Sequence, residues 1–226
     1  MGHPVAKNLM GQDNDQQSGP DTRSRILDAT EAVMLEEGYA GVSSRKVSLR
    51  AGLKSKLLHY YFATMDDLFI AAFQRREDEY FARFAGAAAS GTPLRELWSL
   101  AVDAAGSQLY LEFNALASHR PKVREFIARS NTRDRKSMTT ALAAVFRRSG
   151  IDADRYPPDA VATAIAGMAR VFATDKALGT EEGHASVLQF VERLLCGIEV
   201  KGASQAMRAD VSEKNSGERD ADDQRS

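Results

Sequence analysis

Apolar residues recur every three or four positions from about residue 26 to residue 195, the period of amphipathic helices. Ile26, Leu27, Thr30, Val33 and Met34 form the first stripe, and Gly38 fits the position just past its end. Ser43 suits the N-cap of a short helix that turns Val47 and Ala51 inward. Ala51-Gly52 reads as a tight turn. A second short helix follows, with Leu58 and Phe62 four apart on its inner side. Thr64 caps a long helix over 65–88, with Asp66 and Asp67 in its first turn, where the helix dipole favours acids. Further helices are predicted at about 93–118, 121–149, 157–178 and 184–199, separated by His119-Arg120-Pro121, Ser149-Gly150, Tyr156-Pro157-Pro158 and residues 179–183. No segment shows the strict alternation of a strand. The expected fold class is all-α, with a small N-terminal domain over 21–66 and a larger helical body over 67–200. The polar stretches 1–20 and 201–226 hold too little apolar surface to offset their ordering entropy and read as disordered tails.

Composition narrows the function classes. The chain has 226 residues, 43% of them apolar, and a net charge of −1, which suits a soluble protein with a sizeable core. No apolar run reaches the ~18 residues of a membrane span, and residues 1–20 lack the apolar stretch of a secretory signal. Cys196 stands alone, which fits a reducing cytoplasm. Its neighbours Leu194, Leu195 and Ile198 mark it as a small buried residue. The chain contains no phosphate-binding glycine loop, dinucleotide fingerprint, zinc-protease helix or nucleophile elbow. Its histidines, at 3, 59, 119 and 184, have no metal-ligand spacing. Neither catalysis, metal nor cofactor is expected. "EDE" at 77–79 reads as a solvated helix face, with Glu79 pairing Arg83 one turn on.

Against that neutral total, positive charge gathers in one place. Arg45, Lys46, Arg50, Lys54 and Lys56 flank the turn, and no acid occurs between Gly38 and Met65. A helix, a short turn containing Gly and a second helix make a helix-turn-helix. Ala51 is small enough for close packing, and Gly52 takes positive φ without a Cβ penalty. In this motif the second helix enters the major groove, where cations neutralise phosphates and hydroxyls fix the register.

The run "RILDATEAVMLEEGYAGVSSRKVSLRAGLKSKLLHYYFATMDDLF" resembles the TetR family of bacterial transcriptional regulators. The likeness rests on Gly38-Tyr39, Arg45 and Val47, Ala51-Gly52-Leu53 and the aromatic run His59-Tyr60-Tyr61-Phe62, and covers about 50 residues. Lys54 and Lys56 stand where the family usually has Ser and a small residue, and Met65 where it usually has Lys. The resemblance implies an N-terminal three-helix DNA-binding domain followed by a ligand-binding and dimerisation domain. Within it, Ser55, Lys56 and His59 are candidates for base edges, and Leu57 for a thymine methyl. Ser44, Arg45, Lys54, Tyr60 and Tyr61 are candidates for phosphate. Thr22, Arg23 and Arg25 open the first helix, either as an arm on DNA or for solubility. Leu49 points outward without explanation.

One short helix reads too little sequence alone, whereas a two-fold pair reads a palindrome. The resemblance places that homodimer on the last two helices. The first of them is rich in small residues (Ala160, Ala164, Gly167); the second carries Val187, Leu188, Val191, Leu194 and Leu195. It also implies a pocket for a small-molecule effector. Trp98, Leu109, Tyr110, Phe113, Phe126, Phe146, Met168 and Phe172 are candidates to line it, with Asp103, Glu112, Asn114 or His119 as polar groups. The implied function is a cytoplasmic regulator, a repressor released from a double-stranded operator when effector shifts the helix at 65–88. The alternative is an activator or architectural DNA-binding protein with no sensor.

Overall fold

The computed structural model describes residues 20–197; the tails expected at 1–20 and 201–226 lie outside them apart from Pro20. Among the described residues every regular element is helical. In order these are α1 (Pro20–Glu37), α2 (Ser44–Arg50), α3 (Ser55–Tyr61), α4 (Met65–Ala88), α5 (Pro93–Ala101), α6 (Ala104–His119), α7 (Pro121–Ser149) and α8 (Pro158–Leu178). A last helix, α9, covers 184–197. The chain forms two compact units that divide between Ala72 and Phe73. None of the described helices is long and apolar enough to cross a membrane.

The first unit is built on α1. Ile26, Leu27, Thr30, Val33 and Met34 are buried as one stripe, joined by Val47 of α2, Leu58 of α3, Phe62, and Leu68, Phe69 and Ala72 of α4. The Thr30 hydroxyl is satisfied within its own helix, donating to the Ile26 carbonyl at 2.8 Å. Local signals fix the element ends. The Ser43 hydroxyl accepts from the Lys46 amide at 3.3 Å and caps α2. Thr64 and Asp67 cap α4 reciprocally. The Asp67 amide donates to the Thr64 hydroxyl oxygen at 3.1 Å, and the Thr64 amide donates to the Asp67 carboxylate at 3.1 Å. Lys54 occupies the N-cap of α3 and supplies no side-chain bond. Ser55 is already inside the helix and does not replace that cap. Gly38 and Gly52 both have positive φ, 72° and 67°.

The second unit packs α5, α6, α7 and α8 around the later part of α4. Phe84, Leu94, Leu97, Met138, Leu142 and Phe146 form one buried cluster. A second knot is aromatic, with Phe73 edge-on to Phe113 at 5.1 Å and to Phe126 at 6.1 Å. The single helix expected over 93–118 is two, broken at Val102-Asp103. Both residues are weak helix formers, and the Asp103 carboxylate is drawn to Arg83 of α4 at 2.7 Å. That ion pair also displaces the expected Glu79–Arg83 pair; Glu79 lies 3.4 Å from Arg76 instead. Cys196 is exposed, contrary to its sequence reading, because it falls on an outward face of α9. Arg95 of α5 holds α9 through Glu192 at 2.6 Å.

Gly52→Ala should lower stability by about 1 kcal/mol, the cost of putting a Cβ in the left-handed region. The nearest atom to such a Cβ, Arg25 Nη2 at 3.6 Å, leaves room for it. Denaturant unfolding should therefore report backbone strain without a clash, and a neutral result would show that the turn relaxes.

Candidate nucleic-acid interface and ligand cavity

The outer face of α3 follows from its inner one. Leu58 is fully buried and Phe62 nearly so, which turns Ser55, Lys56, His59 and Tyr60 to solvent. Lys54 is exposed at the start of the helix, Arg45 is exposed on α2, and Ser44, Leu57 and Tyr61 are half-buried. Tyr60 is 78% exposed and meets Tyr61 edge-on at 5.4 Å. Leu49 is 80% exposed, and nothing in the structure explains it.

The five cations of the stretch divide into two groups. Lys46 pairs with Glu37. Arg50 makes a bidentate pair with Glu36, Nη1 to Oε2 at 2.7 Å and Nη2 to Oε1 at 2.6 Å. Hydrogen bonding to Arg50 holds the Glu36 carboxyl below its ordinary range, and Glu36 raises the guanidinium in turn. These two cations fasten α2 to α1, so Arg45, Lys54 and Lys56 are the members of the stretch left to face an anionic partner. The sequence signal was the Glu36-Glu37 pair one helix earlier, with Lys46 and Arg50 four apart on one face of α2.

Two other arginines have structural roles. Arg25 Nη2 donates to the Ala51 carbonyl at 2.8 Å, closing the end of α2. Arg23 lies over the Phe62 ring, 5.4 Å from its centre, and Thr22 is buried. Thr22 and Arg25 thus serve the packing of the first unit, while Arg23 stays exposed.

The second unit encloses a cavity of about 250 Å³, lined from α4, α6, α7 and α8 and the α5–α6 junction. Of the residues expected there, Leu109, Tyr110, Phe113 and Asp103 line it. Trp98 and Phe146 are buried elsewhere, and Met168, Phe126, Glu112 and His119 also lie off the wall. Phe172 lies tilted against the His184 ring, their centres 4.5 Å apart, and Asn114 folds back to donate to the Tyr110 carbonyl at 2.8 Å.

The wall has a polar centre that sequence reading missed. Glu77 is only 9% exposed, so the expected solvated "EDE" face is wrong at its first residue. Ser130 donates to Glu77 Oε1 at 2.8 Å, and Arg133 lies 3.7 Å from the same oxygen. Opposite, Asp134 of α7 accepts a hydrogen bond from Tyr80. Its Oδ1 is buried with no hydrogen-bond partner. Burial pushes the Asp134 carboxyl above its ordinary range, with Glu77 adding to the rise; the Tyr80 bond and Arg135 and Arg170 pull it back. Burial and then Asp134 push the Tyr80 phenol well above its usual range. The signal was spacing: Glu77 lies four residues after Phe73 and four before Phe81, on the apolar stripe of α4. Among the described residues no group of His, Cys, Asp or Glu is placed to hold a metal ion.

Residues 26–72 match the family model of bacterial regulatory proteins, tetR family. Over these residues the chain carries the DNA-binding signature of the TetR family. A curated relative, the HTH-type transcriptional regulator PksA of Bacillus subtilis, is 44% identical over 46 residues, 20% of this chain and 22% of PksA. The chain thus matches about a fifth of that relative's length. Solved structures extend the likeness of fold to the helical body. A TetR transcription regulator from Haloarcula marismortui superposes with a TM-score of 0.63 at 16% identity, over 84% of this chain and 98% of that one. The regulator FadR of Bacillus subtilis, solved with stearoyl-CoA, gives 0.60 at 18% identity, over 76% and 96%. The TetR match falls on the unit that carries the cationic face.

Asp134→Asn tests the cost of the buried acid. An acid whose folded pKa is raised binds its proton more tightly in the native state, so ionising it removes stability as pH rises. The Asn variant should melt above the native protein at pH 7, and the gap should shrink as pH falls toward the ordinary Asp value of about 3.9. A variant that melts lower at pH 7 would mean that Asp134 is stabilised as the anion.

Proposed function

We propose that this chain is a transcriptional regulator of the TetR family that binds a palindromic DNA operator as a homodimer. A small molecule in the cavity releases it, which makes it a repressor in the cytoplasm. The observation that carries this reading is the outer face of α3. Lys54, Ser55, Lys56, His59 and Tyr60 are all exposed there, with Arg45 beside them on α2, in a stretch without acids. The major groove admits such a helix. Lys56, Ser55 and His59 read base edges, with Leu57 against a thymine methyl. Arg45, Lys54, Ser44, Tyr60 and Tyr61 hold phosphates.

Dimerisation is supported by what α8 and α9 leave uncovered. Val171 and Leu178 lie seven apart on α8, and Val187, Phe190 and Leu194 lie along one side of α9; all five are exposed. Ala160 and Ala164 are exposed, and a Cβ added at Gly167 would meet nothing within 4 Å. Small residues beside large apolar ones suit close packing against a second copy, and a patch of this kind marks an interface in a soluble protein.

Release by a ligand is supported by α4. Phe73, Glu77, Tyr80 and Phe81 of the cavity wall lie on it, and the same unbroken helix begins at Met65 in the first unit. Two recognition helices must reach major-groove sites about 34–36 Å apart, so a small movement of α4 spoils the fit. The ligand must bind the DNA-incompetent form more tightly to have any effect. FadR, of similar fold, was solved with stearoyl-CoA, which supports a small-molecule site in the body.

Titration of the DNA upstream of its own gene, by fluorescence anisotropy across a salt series, tests the reading. A dimer neutralising ~8 phosphates gives a log–log slope near −7. Lys56→Ala should change base preference by about 1–3 kcal/mol at one position, whereas Arg45→Ala should weaken all sequences alike and reduce the slope by about 1. The reverse pattern would exchange their roles, and no salt-dependent binding would end the proposal.

Leu194→Arg places a charge on the uncovered side of α9. Light scattering should report a monomer with nearly unchanged melting, and operator affinity should fall with dimer formation. A variant that stays dimeric would locate the interface elsewhere.

A further inference from the structure

We infer that the cavity of the second unit takes an organic cation with an apolar body, a quaternary or protonated amine. This rests on the proposal that the cavity holds a small molecule and adds its chemical class. The cavity has two kinds of charged residue, and they differ in depth. Four arginines and four acids line it. Arg83 pairs with Asp103 at 2.7 Å and is more than half exposed, and Arg76 pairs with Glu79 at 3.4 Å. Arg170 is exposed and Arg135 gives a hydrogen bond to Thr163 at 3.1 Å. The arginines thus stand at the cavity's outer part, and Arg135 and Arg170 act on Asp134 through space without bonding its Oδ1.

Glu77 and Asp134 are different. They sit on facing helices beside Phe73, Tyr80, Phe81 and Phe113, Glu77 buried and Asp134 half-buried with its Oδ1 shielded from solvent. Asp134 keeps one carboxyl oxygen without a hydrogen-bond partner. An ionised carboxylate in such a place is costly unless a positive charge accompanies it. Aromatic faces supply the other half of the site, because their quadrupoles attract cations within about 6 Å of the ring centre. Such a pairing already stands beside the wall: the exposed Arg133 guanidinium lies 4.2 Å from the Phe81 ring centre and 3.7 Å from Glu77 Oε1. Asp134 has no comparable partner on its free oxygen. An ammonium group seated among these rings pairs with Asp134, and its apolar body covers Phe113 and Leu109.

Three probes with the same tail separate the possibilities: decyltrimethylammonium, decanoate and 1-decanol, titrated calorimetrically into the full chain below their aggregation limits. Decyltrimethylammonium should bind at least about tenfold more tightly than either of the others. Asp134→Asn should erase most of that preference while leaving decanol binding unchanged. The melting expected of this variant at pH 7, above that of the native protein, separates lost recognition from lost folding. Glu77→Gln should weaken the cation less, since Ser130 and Arg133 already occupy that carboxylate. Decanoate binding as tightly as the cation would assign the site to the outer arginines and overturn the inference. Equal binding of all three would make the cavity a reader of apolar area alone, and failure of the cation to bind would overturn the inference outright. A cation that binds but leaves operator affinity unchanged would sink the release mechanism and not this assignment.

Discussion

Two helices of seven residues cannot hold themselves together in water. α2 and α3 exist because α1 supplies what they lack, and the cationic face depends on that support. The clearest single bond is the Arg25 guanidinium on the Ala51 carbonyl. It satisfies a backbone acceptor at the end of α2, next to the one turn residue whose positive φ sets the direction of α3. The pairs from Glu36 and Glu37 to Arg50 and Lys46 hold the other side of α2. Burying Leu58 adds about 2 kcal/mol. Each contact is modest, and the exposed ion pairs are weak individually. Together they leave α3 one orientation, inner face on α1 and outer face in solvent.

This arrangement also solves an electrostatic problem. Five cations within twelve residues repel one another, and a uniformly basic unit would bind any polyanion. The acids of α1 neutralise the two cations that serve the fold. The cations left over lie at the start of α2 and of α3. Lys54 makes the compromise visible at one residue. A Ser or Asp at that N-cap would stabilise α3 by about 1 kcal/mol, yet it would remove a charge from the face. The helix is left uncapped where the charge is useful.

Much of the fold was legible in the sequence because it was written in local signals. Ser43, Thr64, Gly38 and Gly52 each act within a few residues of themselves, and their roles could be read from neighbours alone. The outer face of α3 was legible for the same reason, since placing Leu58 and Phe62 inside determines what faces out. The misreadings share a different origin. The partners of Glu77 and Arg25 and the helix break at Asp103 were missed because the bonded residues lie 53, 26 and 20 residues away, and no local pattern names a partner at such a distance. The cavity wall suffered most. Trp98 and Phe172 are aromatic residues on amphipathic helices just as Phe113 is, and only the packing of α6 on α7 and α8 decides which of them meets an open space.

The uncovered side of α9 and the polar centre of the cavity are both departures from what a monomer's stability alone would select. Phe190 is 61% exposed, and apolar side chains left in water forgo burial free energy that a partner surface would supply. Asp134, conversely, is withdrawn from water without a full set of partners, a position that favours its neutral form. The helices that bear these features, α7, α8 and α9, otherwise follow ordinary rules: Pro121 and Pro158 open two of them, and Gly150 and Gly179 close them in the left-handed conformation. Local consistency of that kind is what a foldable sequence shows everywhere it can. In the second unit the exceptions fall on one cavity wall and on the uncovered sides of α8 and α9, the places proposed above for a ligand and a second copy.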